Sequence, residues 1–267
     1  MKAPVPLITR ADDFGVSPGT NDAILACLDA GFVRNAGVMA PAPFLRHRFA
    51  ELVERQGSFG PGLHATINSE WSGVRWGPVL ARQEVPSLAG EDGTFYRSTQ
   101  ELDSKGALPE IVAEISAQLD LVRRLGLRPI YLDTHMVFTW IPGVADALAT
   151  LCQNEGLIFA NSAGFASLPL PFSQEVTPEA LADALAGFES GHPGQRPVWV
   201  FHPAMRDEVS EQFFFDPAAP SSSVADSRHC EFAGLSDAAR MSDLARKANA
   251  RPSQYPRHSA WPIAPEN

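Results

Sequence analysis

Val5–Pro18 reads VPLITRADDFGVSP, and the first decision about the fold rests on this stretch. Val5–Thr9 is a short apolar run of strand type, while Ser17-Pro18 supplies a helix N-cap and an N1 proline. Ile24, Cys27 and Leu28 then recur at helical spacing as an inward stripe. A β-loop-α unit is therefore written at the N-terminus. Its loop carries two adjacent carboxylates, Asp12 and Asp13, at the end of an apolar strand. There each loses solvation and repels the other unless a cation lies beside them. A divalent ion is the simplest such partner, and an acidic patch answering the dipole of the helix from Pro18 is the alternative.

The same alternation continues outward. Val33–Ala40 reads as a strand, followed by a helix with Leu45, Phe49, Leu52 and Val53 on one face and Gly57 at its end. Phe59–Ile67 is a third strand. Pro109 opens a helix with Ile111, Ile115, Leu119 and Val122 at helical spacing, ending at Gly126 before the strand Pro129–Phe138. Gly143–Gly156 reads as a helix, Leu157–Ala160 as a strand, Thr177-Pro178 as the start of a helix to about Phe188, and Pro197–Phe201 as a strand. A last helix runs near Ser236–Ala248. Strands alternating with helices imply parallel pairing through right-handed crossovers. The pattern predicts a single α/β domain over residues 1–248, a closed or nearly closed (β/α) barrel of the TIM-barrel type, with a doubly wound open sheet as second choice. Residues 249–267, rich in Pro, Ser and Arg without periodicity, predict a poorly ordered tail.

Composition narrows the function classes. The 21 Lys+Arg against 31 Asp+Glu leave a net charge of −10, which offers no footprint to a phosphate backbone and excludes a nucleic-acid partner. No apolar run is long enough to span a bilayer, and the N-terminus lacks the pattern of a signal peptide, so a cytoplasmic protein with no membrane partner is expected. Cys27, Cys152 and Cys230 lie far apart and read as small hydrophobes rather than as a zinc knuckle or disulfide framework.

In β/α barrels the active site lies at the C-terminal ends of the strands. Those ends carry Ala11-Asp12-Asp13-Phe14-Gly15, Gly62-Leu63-His64, Leu132-Asp133-Thr134-His135 and Phe201-His202-Pro203. One carboxylate and two neutral imidazoles make a common divalent site with open positions for water or substrate, so His64 and His135 join the acidic pair as candidates. Asp133 shares a strand face with His135 and is expected either to fix its tautomer or to lie beside the substrate. His202 is a candidate general acid in its imidazolium form. Residues 68–105 are too long for an ordinary connection. Their segment SEWSGVRWGP is not expected to hide both Trp71 and Trp76 in a core, so these rings, with Arg75 between them, are expected to face a sugar, to anchor the loop, or to meet a second subunit of a homo-oligomer. The lack of an arginine or lysine cluster near the four motifs argues against a phosphoesterase.

ITRADDFGVS, GLHATINSEW, YLDTHMVF and VFHPA, in this order over roughly residues 5–205, resemble the YdjC-like (ChbG/HpnK-type) carbohydrate deacetylase family. The resemblance implies a distorted (β/α) barrel, one bound divalent ion, and removal of the acetyl group of an N-acetylated sugar by attack of a metal-bound water. Carried over by position, Asp13, His64 and His135 correspond to metal ligands, Asp12 to the catalytic base, and His202 to the distal acid or a substrate-binding histidine. Two nitrogens and one oxygen suit Zn²⁺, Co²⁺ or Ni²⁺ by affinity and hold Mg²⁺ more weakly; the choice between Mg²⁺ and Zn²⁺ stays open. The chain departs from many members at Met136, Val137, Phe138 and Thr139, where further histidines are usual, and Arg228-His229-Cys230-Glu231 is only a weak match to the family's Arg-x-x-Glu helix start. A catalytically inactive sugar-binding barrel is the rival reading.

Overall fold

The computed structural model describes residues 3–103, 107–216, 218 and 223–257. In chain order the elements are β1 (Val5–Phe14), α1 (Pro18–Ala30), β2 (Asn35–Val38), α2 (Phe49–Arg55), β3 (Gly60–Ala65), α3 (Thr99–Asp103) and α4 (Leu108–Arg124). There follow β4 (Tyr131–Thr134), α5 (Val144–Glu155), β5 (Ile158–Phe159), β6 (Phe165–Ser167), α6 (Pro178–Gly191), β7 (Arg196–Phe201), α7 (Ser223–Leu235), α8 (Ala238–Lys247) and β8 (Ala250–Ser253). Ser17 caps α1 as expected, its hydroxyl accepting the Thr20 N–H at 3.0 Å.

All ladders between the strands are parallel, and the sheet runs β5-β4-β3-β2-β1-β7-β6, with β8 added beside β1. The expected distorted barrel is what forms. It stays open, since among the described residues no ladder joins β5 to β6. Strand β1 is paired along both edges. Ile8 pairs with Val198 of β7 on one edge and with Ser253 of β8 on the other, and from Arg10 onward β2 takes over that second edge.

Three expectations are corrected. The strand expected over Pro129–Phe138 stops at Thr134, because Met136 and Val137 adopt left-handed φ values of 52° and 41° that break the extended run. The described part of the segment expected as an excursion, 68–103, folds inward: Trp71, Trp76, Val85, Leu88 and Phe95 all join the main core. The supposed tail begins with a strand, β8, and buries Tyr255; the rest of it, 258–267, lies outside the described residues. No helix among the described residues is long and apolar enough to cross a membrane.

Candidate active site

In a regular strand Asp12 and Asp13 would point to opposite faces. Here the β1–β2 register shifts between Ala11 and Phe14 and Asp13 takes a left-handed φ of 73°. This bulge turns Asp13 back, so that both carboxylates line one cavity of about 840 Å³. Gly37 of β2 makes the space for Asp12, since a Cβ there would sit 2.5 Å from Asp12 Oδ1.

The bulge sets Asp13 against two histidines. His64 Nε2 and His135 Nδ1 each lie 3.4 Å from Asp13 Oδ1 and 3.2 Å from one another. Asp13 Oδ1 is buried without a hydrogen-bond partner among the described residues. A small divalent ion with ligand bonds of about 2.1 Å holds tetrahedral donors about 3.4 Å apart, so this triangle of one carboxylate and two imidazoles fits such an ion. The outer nitrogens are held by carboxylates. His64 Nδ1 lies 2.8 Å from Asp133 Oδ2, and His135 Nε2 lies 3.1 Å from both oxygens of Glu70. Asp133 therefore orients His64 and not, as expected, His135, because His64 and Asp133 are register partners across β3 and β4. Glu70 does that work for His135. It lay unread in the sequence between Ser69 and Trp71, and nothing but the direction of the His135 ring singles it out.

The electrostatics follow from burial and these contacts. Burial opposes charge on His64, but the Asp133 and Asp12 carboxylates outweigh it and hold the imidazole well above its ordinary value. Burial likewise opposes charge on His135, and Glu70 with Asp13 raises it to about 9. Burial disfavours the Asp13 carboxylate, yet the Arg228 guanidinium, 2.7 Å from Oδ2, and the two imidazoles keep it well below the usual range. At Asp12 burial prevails over Arg10 and pushes the carboxyl up.

Two arginines thus stand in the site, Arg10 from β1 and Arg228 from α7, although the sequence shows no arginine or lysine cluster near the four motifs. Both are buried and engaged by carboxylates. Arg228 and Glu231 lie in the middle of α7, which begins at Ser223, and not at a helix start as the Arg-x-x-Glu match implied; both line the cavity. His202 also lines it, and its backbone N–H donates to Glu231. Burial pushes the His202 imidazole down to about 3, so it stands neutral and is not the imidazolium expected of a general acid.

The expected sugar-facing loop is corrected. Trp76 is buried, its indole N–H donating to the Asn68 carbonyl at 2.8 Å. Arg75 lies outside the cavity lining, where it donates to the Ser69 and Phe95 carbonyls and ties the loop to itself. Trp71 lines the cavity but its ring is already covered: Phe213 stacks at 5.3 Å, Phe215 lies at 4.7 Å and the Arg228 guanidinium at 5.7 Å. Asp133, bound to His64 and Arg10, likewise lies outside the cavity lining. The apolar wall of the cavity comes instead from Met136, Val137, Phe165, Val198, Val200 and Val224.

A family model described as YdjC-like protein matches residues 6–246. A carbohydrate deacetylase of Geobacillus stearothermophilus is 28% identical over 246 residues, covering 90% of this chain and 93% of that protein. A human carbohydrate deacetylase is 32% identical over 158 residues, 57% of this chain and 47% of its own length. Among solved structures, one described as a cellobiose-phosphate cleavage protein of Enterococcus faecalis V583 is similar in fold, with a TM-score of 0.74 at 20% identity, covering 94% of this chain and 98% of that one.

Proposed function

The chain belongs to the YdjC-like family, and on that premise we propose that it is a hydrolase that removes the acetyl group from an N-acetylated sugar, with a divalent ion held by Asp13, His64 and His135. The observation that carries this reading is the triangle of Asp13 Oδ1, His64 Nε2 and His135 Nδ1, at 3.2 to 3.4 Å, with Asp12 beside it in one cavity. The carbohydrate deacetylase relatives support the substrate class.

When bound, the ion would polarise the acetyl carbonyl and acidify a water molecule. The chain's own groups do the rest. Asp133 and Glu70 accept the protons of the outer nitrogens of His64 and His135, so it is the inner nitrogens that would give up theirs in exchange for the ion. Asp12, whose carboxylate is made more basic by burial, takes the proton of the attacking water. It returns that proton to the amine nitrogen as the C–N bond breaks, so acetate and the free amino sugar leave in balance. His202, uncharged, serves as a hydrogen-bonding wall for the sugar and not as the proton source.

The test is acetate release from a panel of N-acetylated sugars, after chelation and after addition of Zn²⁺, Co²⁺, Ni²⁺ or Mg²⁺. Turnover that disappears with chelator and returns with one of the ions is expected. The Asp12→Asn variant should retain its metal and lose about 10²–10⁴-fold in rate. No acetate from any sugar with any ion would overturn the reading.

A further inference from the structure

We propose that Arg10 is the positioning residue for Asp12, and that Tyr255, delivered by the C-terminal strand β8, holds Arg10 in place. The inference rests on the deacetylase reading, in which Asp12 is the base.

The geometry starts from the alternation of β1, which puts Arg10 and Asp12 on the same face. Arg10 Nε and Nη2 both donate to one oxygen of Asp12, Oδ2, at 3.0 and 2.7 Å. The second oxygen, Oδ1, has no hydrogen-bond partner among the described residues. A planar guanidinium gripping one carboxylate oxygen through two donors fixes the rotation of that carboxylate, which a single ammonium does not. The same Nη2 lies 2.8 Å from Asp133 Oδ2, so the guanidinium stands between two buried carboxylates that would otherwise repel each other. Asp133 in turn holds His64, and base and ion site are thereby tied into one rigid unit.

The remaining donor, Nη1, goes to the Tyr255 hydroxyl at 3.0 Å. That phenol is itself pinned twice. Its ring lies 4.3 Å from the Tyr131 ring, for which Gly62 leaves the room, since a Cβ there would overlap Tyr131. Its backbone N–H donates to Asn35 Oδ1 at 2.9 Å, while Asn35 Nδ2 donates to the Ser253 and Thr9 carbonyls at 2.9 and 3.0 Å. Asn35 thus clips the end of β8 to β1 and β2 at the height of Arg10. Arg10, Asp12, Asp133 and Tyr255 are all buried, so these contacts act away from bulk water, where preorganisation of a reacting group counts most. Tyr255 lies beyond the residues matched by the family model, so the anchor comes from a part of the chain that the family pattern does not describe.

The test compares Arg10→Lys, Arg10→Met, Tyr255→Phe and the double variant Arg10→Met with Tyr255→Phe. A positioning role predicts that Arg10→Met loses about 10²-fold in kcat with KM nearly unchanged, and that Arg10→Lys falls between it and the unsubstituted protein. Tyr255→Phe should lose about tenfold in kcat, and the double variant should be no worse than Arg10→Met alone, because the phenol acts through the guanidinium. Metal content by elemental analysis should match the unsubstituted protein in all four. Additive losses in the double variant, a raised KM at constant kcat, loss of metal, or full activity of Arg10→Lys would each overturn the assignment. Where Arg10→Met does not fold, Arg10→Lys and Tyr255→Phe, singly and combined, give the same comparison. An unsubstituted protein that releases no acetate fails the underlying reading and takes the assignment with it; active unsubstituted protein with any of the overturning results fails the assignment alone.

Discussion

His64 and Asp133 face each other as register partners across β3 and β4, with Nδ1 2.8 Å from Oδ2, while His135 Nε2 meets Glu70 at 3.1 Å. Each imidazole of the triangle with Asp13 therefore has its own carboxylate behind it. Such partners fix ring orientation and raise ligand basicity, and losing one typically costs about 10–100-fold in metal affinity. Glu70→Gln and Asp133→Asn are expected to weaken metal binding by this amount, read by competition with a chromophoric chelator. Unchanged affinity in both would leave the two carboxylates without a role at the ion site.

His64→Ala and His135→Ala each remove one corner of the triangle with Asp13. Elemental analysis after purification should find both proteins depleted of divalent metal, and added ion should stabilise the unsubstituted protein against thermal unfolding but not the variants. Full occupancy in both would move the ion elsewhere.

Trp76 is held by core packing and by its N–H to Asn68 O. Trp76→Ala is expected to cost about 3–5 kcal/mol of stability by urea unfolding, the magnitude for emptying a large aromatic site. The molecular mass in solution should not change, because the ring is covered by its own chain. A stable Trp76→Ala protein with a raised KM would return the ring to the substrate side.

The strand ends carrying Asp12, Asp13, His64, His135 and His202 were legible because apolar runs end there in polar residues, and the cavity brings all five together. What escaped sequence reading depends on long-range pairing. Arg10 and Tyr255 are 245 positions apart, and β8 is a four-residue strand containing Pro252, too short for its period to show. Helix α7, which carries Arg228 and Glu231, has almost no apolar periodicity, so it did not stand out as an element. The loop tryptophans were misread for a related reason. Val85, Leu88 and Phe95, which join them in the main core, sit among turn residues that read as solvent-exposed connection.

Cysteine reactivity follows from burial. Cys27 and Cys152 are buried and their thiols are pushed up to about 12, whereas Cys230 is exposed. At pH 8 iodoacetamide should label Cys230 alone, because the thiolate is the nucleophile, and the other two should react only in denaturant. Mass spectrometry of the native labelled protein showing more than one adduct would contradict this burial.

Glu231 gives a pH-dependent prediction with a definite sign. Burial raises its carboxyl from 4.5 to about 7, while the His202 N–H and Arg228 only partly offset that effect. Between pH 4.5 and about 7 the folded protein keeps a proton that the unfolded chain has released, so stability falls as pH rises through this window. Above it the ionised carboxylate is a standing penalty of up to about 3 kcal/mol at 1.36 kcal/mol per unit. Glu231→Gln keeps an acceptor for the His202 N–H and removes the charge. It is expected to stabilise the protein at pH 8 and to leave it nearly unchanged at pH 4.5, measured by urea unfolding of the chelated protein at both values. Equal effects at the two pH values, or destabilisation at pH 8, would show that the carboxylate is charged and satisfied in the fold.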